Sequence, residues 1–97
     1  MANKQTEKAF QATVLRLAAL LGYRVYHTYD SRRSQAGWPD LVLCKPPRVF
    51  FFELKTDTGR VKPEQRAWLD ALTACGLVAR IVRPRDWKEV TRLLQDG

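Results

Sequence analysis

The spacing of apolar positions changes several times along the chain, and each change marks an element. Between about Lys4 and Leu21, Phe10, Val14, Leu17 and Leu21 recur at steps of four, three and four. That spacing lines one face of a helix. Gly22 stands where such a helix usually stops. Tyr23–Thr28 (YRVYHT) is β-branched and aromatic and predicts a strand. The polar run Tyr29–Gly37 predicts a loop, and a second strand starts at Pro39 or Asp40 with the sequence DLVLC. Lys45–Arg48 (KPPR) predicts a turn, because consecutive prolines cannot continue a sheet ladder. Val49–Leu54 (VFFFEL) is apolar almost throughout, as a strand in the middle of a sheet would be.

The second half alternates again. Thr56–Lys62 predicts a loop and Pro63 the first position of a second helix, carrying Trp68, Leu69, Leu72 and Cys75 and ending at Gly76. Leu77–Val82 predicts a fourth strand. Pro84 opens a last helix with Trp87, Val90, Leu93 and Leu94 on one side. The order α-β-β-β-α-β-α predicts an α/β domain: a mixed sheet flanked by helices, with strands two and three forming a hairpin. At 97 residues, positions 1–97 make one domain with a single modest core.

Composition adds one bias. Lys plus Arg outnumber Asp plus Glu by 17 to 10, a formal charge of +7. A balance this basic favours polyanionic partners through counterion release. Cys44 and Cys75 sit in apolar stretches without a CxxC partner, which predicts two small buried thiols in a reducing compartment. His27 has no zinc-ligand spacing to either cysteine, and reads as a strand residue with a local hydrogen bond. The N-terminus has no apolar run of the signal-peptide kind, and no stretch is long enough to span a membrane, so a cytoplasmic protein is expected.

Three charged residues carry the candidate chemistry. Asp40 begins strand two, and Glu53 and Lys55 end strand three. Alternation puts Glu53 and Lys55 on one face, about 7 Å apart, and Leu54 on the other. If residues 45–48 form the hairpin loop, Cys44 pairs with Val49, and Asp40 then stands opposite Glu53 with Cβ atoms about 4.5–5.5 Å apart. A one-residue bulge would break this register. Two facing carboxylates repel, and Glu53 follows three phenylalanines, where an unpaired charge is costly. A hard divalent cation between them resolves both problems. An isolated E-x-K triplet is commonly a structural ion pair. The fuller pattern is more specific: an acid at a strand start, a tight hairpin, then acid, apolar residue and lysine.

Gly37-Trp38-Pro39-Asp40 followed by Glu53-Leu54-Lys55 resembles the PD-(D/E)xK nuclease signature. The run G-x-P-D-L, then F-x-E-L-K beginning at Phe51, then Glu64-Gln65 on the next helix, is similar to the VRR-NUC branch of that superfamily, over roughly Glu7 to Val82. The resemblance implies a restriction-endonuclease-like fold and a metal-dependent endonuclease using Mg²⁺ or Mn²⁺. It implies that Asp40, Glu53 and the Leu54 carbonyl ligate the metal. Lys55 would orient or help deprotonate the attacking water. Glu7 would hold metal directly or through water, and Gln65 would reach the metal water or a phosphate. Arg32, Arg33, Arg60 and Lys62 lie in the loops flanking this constellation and are expected to grip DNA phosphates, with Ser31, Ser34 and Gln35 as neutral contacts. Trp38 either packs under the loop or stacks on a base, with packing the better expectation, and Trp68 and Trp87 follow helical stripes and are expected in the core. Similarity to junction-resolving enzymes implies branched DNA, four-way junctions included, and a homodimer with two sites. A non-catalytic DNA-binding module with the same fold is the alternative.

Overall fold

The structure is a computed structural model, described here for residues 5–28 and 35–96. Its elements follow the expected order: α1 (Glu7–Leu20), β1 (Arg24–His27), β2 (Leu41–Lys45), β3 (Arg48–Leu54), α2 (Pro63–Ala74), β4 (Val78–Val82) and α3 (Trp87–Gln95). Helix α1 starts where the Thr6 hydroxyl accepts the Ala9 N–H at 3.0 Å, satisfying one of the free donors of the first turn. Helix α2 starts at Pro63, whose missing N–H costs nothing there, and the Gln65 side chain accepts the Lys62 N–H at 2.9 Å. Pro84 does not open α3 directly. Residues Pro84–Asp86 form a 3-10 turn, held by Asp86 Oδ2 accepting the Arg83 N–H at 2.9 Å, and α3 begins at Trp87.

The four strands lie in the order β1-β2-β3-β4. β1 and β3 both run antiparallel to β2, whereas β4 runs parallel to β3, as the crossover through α2 requires. β3 is therefore covered on both edges, which suits its continuous apolar run.

The sheet buries two unequal faces. Leu41, Leu43, Phe50, Phe52 and Leu54 point to one side, where they meet Phe10, Val14 and Ala18 of α1 and Val90 and Leu94 of α3. Each of the Phe, Leu and Val side chains among them contributes about 1.5–3 kcal/mol relative to exposure. The Tyr23 hydroxyl donates to the Leu94 carbonyl at 2.7 Å and ties α3 to the start of β1. The α2 side carries a smaller aromatic cluster: Trp38 meets Phe51 and Trp68 edge-on at 5.9 and 4.9 Å between ring centroids.

Several expectations need adjustment. The buried line of α1 follows Phe10, Val14 and Ala18, with Leu17 and Leu21 only half-buried at its flank. Trp87 packs against the main core, but Trp68 belongs to the α2-side cluster. Cys44 is half-buried and Cys75 exposed. α2 ends at Ala74, and Cys75 turns away with its N–H bonded back to Ala71 and Leu72. Lys45 and Arg48 pair within the ladder, so only Pro46 and Pro47 make the turn, and β2 begins one residue after Asp40.

Candidate active site

The β2–β3 register places the two acids. Cys44 pairs with Val49 and Leu41 with Phe52, so the next step of the ladder sets Asp40 against Glu53. Asp40 lies just outside β2 yet keeps the sheet geometry: its carbonyl accepts the Thr28 N–H at 3.0 Å and its Oδ2 accepts the Leu54 N–H at 2.8 Å. Because Phe50, Phe52 and Leu54 face the main core, Phe51, Glu53 and Lys55 face α2.

Glu53 is 3% exposed, alone among charged side chains in being buried within the described residues. Its Oε2 accepts a hydrogen bond from Gln65 Nε2 at 3.0 Å and lies 4.0 Å from the Lys55 ammonium. Burial pushes its carboxyl up to about 9, and the charge of Asp40 together with a hydrogen bond to it pushes the same way. Glu7 adds a smaller upward push, and Lys55 opposes. Glu7 is exposed overall, yet its carboxyl is also raised, first by partial loss of water and then by Asp40. The first turn of α1 therefore faces the acid pair electrostatically. Among the described residues no three His, Cys, Asp or Glu side chains converge as a metal cage. Side-chain ligands thus reduce to the Asp40–Glu53 pair, with Glu7 nearby.

A polar groove of about 360 Å³ opens over the pair, lined among others by Gln35, Trp38, Asp40, Glu53, Lys62 and Gln65. A second cleft of about 380 Å³ beside Phe50, Leu77, Val78 and Leu93 is more apolar and holds no acid pair. One wall of the polar groove is fixed by a backbone contact. Gly37 has φ +83°, and a Cβ there would lie 2.4 Å from the Glu64 carbonyl. Only glycine lets the loop before Asp40 rest on the first turn of α2.

A family model for the VRR-NUC domain matches residues 2–86. The chain belongs to the VRR-NUC family. A solved structure titled VRR_NUC domain protein superposes with a TM-score of 0.75 at 20% identity, over 96% of this chain and 88% of that one, and shows the shared fold. No curated protein sequence matches. VRR-NUC membership brings a nuclease-type, DNA-processing fold with it. Within this VRR-NUC domain Asp40, Glu53, Lys55 and Gln65 converge, and Glu7 stands beside them. Lys62 lines the groove, and Arg60 is exposed on the loop leading to it. Arg32, Arg33, Ser31 and Ser34 lie outside the described residues, while Gln35 lines the groove. Trp38 packs on Phe51 and Trp68 as well as lining the groove, in keeping with a packing role. His27 ends β1 opposite Leu41.

Sequence reasoning missed Arg83. Its guanidinium donates to the carbonyls of Thr56 (2.6 Å) and Gly59 (2.9 Å), clamping the loop that follows Lys55. No local signal marks it, because its partners lie 24 and 27 residues away.

Proposed function

We propose that this chain is a Mg²⁺- or Mn²⁺-dependent endonuclease hydrolysing phosphodiester bonds in DNA. The observation that carries the reading is the Asp40–Glu53 pair: two carboxylates set against each other by the β2–β3 register, one of them 3% exposed, with an ammonium 4.0 Å away. Burial and the facing Asp40 charge favour a proton on Glu53 when no cation is present, the direction in which its carboxyl is raised. An oxygen-only donor set of this kind fits a hard divalent ion. Asp40, Glu53 and the Leu54 carbonyl would hold it, with Glu7 reaching it through water.

When bound, the ion supplies positive charge against the phosphate oxygens and lowers the pKa of water. The chain's own groups do the rest. Lys55 orients the water and offsets negative charge developing on the phosphate. Gln65 fixes the orientation of the Glu53 carboxylate, and its carbonyl oxygen is already committed to the Lys62 N–H. Lys62, Arg60, Arg32 and Arg33 draw phosphates toward the groove without reading bases. The substrate proposed is branched DNA, four-way junctions included, cut by a homodimer carrying two sites, in the cytoplasm. Among the described residues no helix is long and apolar enough to cross a membrane.

The test is a cleavage panel of duplex, single strand, flap and four-way junction in Mg²⁺, Mn²⁺ or chelator. Wild type should cut in either metal and stop in chelator, and Asp40→Ala should bind DNA without cutting it. Absence of cleavage by wild type on every substrate would hand the fold to a binding-only role.

A further inference from the structure

The outer face of α3 carries cations that the site does not use. Lys88 and Arg92 lie one helical turn apart, about 6 Å along the axis, and both are exposed. Neither makes an ion pair among the described residues. With Trp87, Thr91 and Gln95 they line an open groove of about 440 Å³ containing no carboxylate. Of the neighbouring acids, Asp86 accepts the Arg83 N–H, and Glu89 is paired with Arg80 at 2.6 Å while also feeling the Arg92 charge; Asp96 is exposed at the C-cap, one turn beyond Arg92.

This face is joined to the candidate active site. The Arg85 N–H donates to Asp57 Oδ1 at 3.0 Å, and its guanidinium reaches the Asp57 carbonyl at 3.4 Å. Asp57 is two residues beyond Lys55, in the loop that Arg83 clamps. Arg85, Lys88 and Arg92 therefore form a basic strip that begins beside the loop carrying Arg60 and Lys62 and runs away from it. From Arg85 to Arg92 the strip extends about 10 Å, or roughly three base pairs of duplex. Lys88 and Arg92 also lie beyond residues 2–86, the segment the family model covers.

We infer that Arg85, Lys88 and Arg92 form a second DNA contact, holding the phosphate backbone of a duplex arm to one side of the cleavage groove. The strip presents donors and positive charge and no base-reading geometry, so its contribution is independent of sequence and sensitive to salt. It rests on the nuclease reading only for its relation to the cut.

The test is binding of a blunt duplex of about 20 base pairs, in chelator, from about 50 to 200 mM salt. Three proteins are compared: wild type, Arg85→Gln/Lys88→Gln/Arg92→Gln, and a control, Arg16→Gln/Arg24→Gln/Arg66→Gln, which removes the same charge from exposed positions elsewhere. The strip variant should lose about tenfold or more in affinity, with a salt slope shallower by about two to three, given roughly 0.9 per phosphate contact. The control should stay within about threefold of wild type. Lys88→Gln and Arg92→Gln alone should each flatten the slope by about 0.9, which keeps the test open should the triple variant fold poorly. Equal losses in strip and control variants, or a strip variant that binds like wild type, overturn the inference. Wild-type cleavage in Mg²⁺ is scored separately: a protein that never cuts but loses binding with the strip refutes the nuclease and keeps the contact.

Discussion

Gln65 Nε2 donates to Glu53 Oε2 at 3.0 Å while Gln65 Oε1 accepts the Lys62 N–H at 2.9 Å, so one amide joins the start of α2 to the buried acid of β3. Both ends of the amide are used, which fixes its orientation and leaves Glu53 one oriented carboxylate rather than a rotating one. Partners that orient a metal-binding group typically matter 10–100-fold. Gln65→Leu is therefore expected to lower kcat about 10–100-fold and raise the Mg²⁺ concentration for half-maximal cleavage. Metal titrations of cleavage rate against wild type measure both. Unchanged metal dependence would reduce Gln65 to a helix-capping residue.

Lys55 sits differently. Its Nζ is 4.0 Å from Glu53 Oε2, close enough to feel the acid yet longer than a hydrogen bond, so the ammonium has capacity for a phosphate or water. Lys55→Ala should cut kcat by about 10²–10³, the usual effect of losing one group that stabilises developing charge. DNA affinity in chelator should change little beyond one phosphate contact. Single-turnover cleavage beside anisotropy binding separates the two, and a loss confined to binding would remove Lys55 from the chemistry.

Gly37 offers a stability test. Its φ of +83° disfavours any side chain, and the added Cβ would strike the Glu64 backbone at 2.4 Å. Backbone displacement is the only escape, since the obstructing atoms belong to a helix turn rather than to a flexible side-chain end. Gly37→Ala should destabilise the fold by about 1–3 kcal/mol, lowering Tm by about 4–8 °C per kcal/mol for a domain of this size. Thermal unfolding followed by circular dichroism reads the shift. A Tm equal to wild type would mean that the loop does not rest on α2.

How much of this was legible in the sequence depends on the range of the interaction. The Asp40–Glu53 register came out correctly although the turn is two residues rather than four. Adding the Lys45–Arg48 pair extends the same ladder without sliding it. The shared face of Glu53 and Lys55 followed from alternation alone, and the central place of β3 from its phenylalanines. The Gln65–Glu53 bond was only half visible: helical spacing shows that Gln65 lies near the start of α2, but not that α2 crosses over Glu53. The Arg83 clamp on Thr56 and Gly59 left no trace in any local pattern. Cys75 looks apolar by its neighbours and is exposed, because it is the residue that caps α2 after Ala74 and leaves the helical stripe.

The raised Glu53 carboxyl makes the metal-free fold sensitive to pH. In the unfolded chain this group titrates near its ordinary 4.5, and in the folded protein near 9. A folded-state pKa above the unfolded value means that the native state holds the proton more tightly. The associated stability is fully present below pH 4.5 and is lost as pH rises through 9. In chelator, Tm should therefore fall steadily between those limits. Glu53→Gln removes the titration and should flatten the profile, at some cost to the Gln65 hydrogen bond. Saturating Mg²⁺ should also flatten it, because the ion binds the deprotonated pair and replaces the proton. Differential scanning of wild type and Glu53→Gln across this range, with and without Mg²⁺, checks each part. A wild-type profile in chelator that is flat, or that rises with pH, would show that Glu53 is not held protonated by its burial and the facing Asp40 charge, and with that the strongest physical reason for a cation between them would be gone.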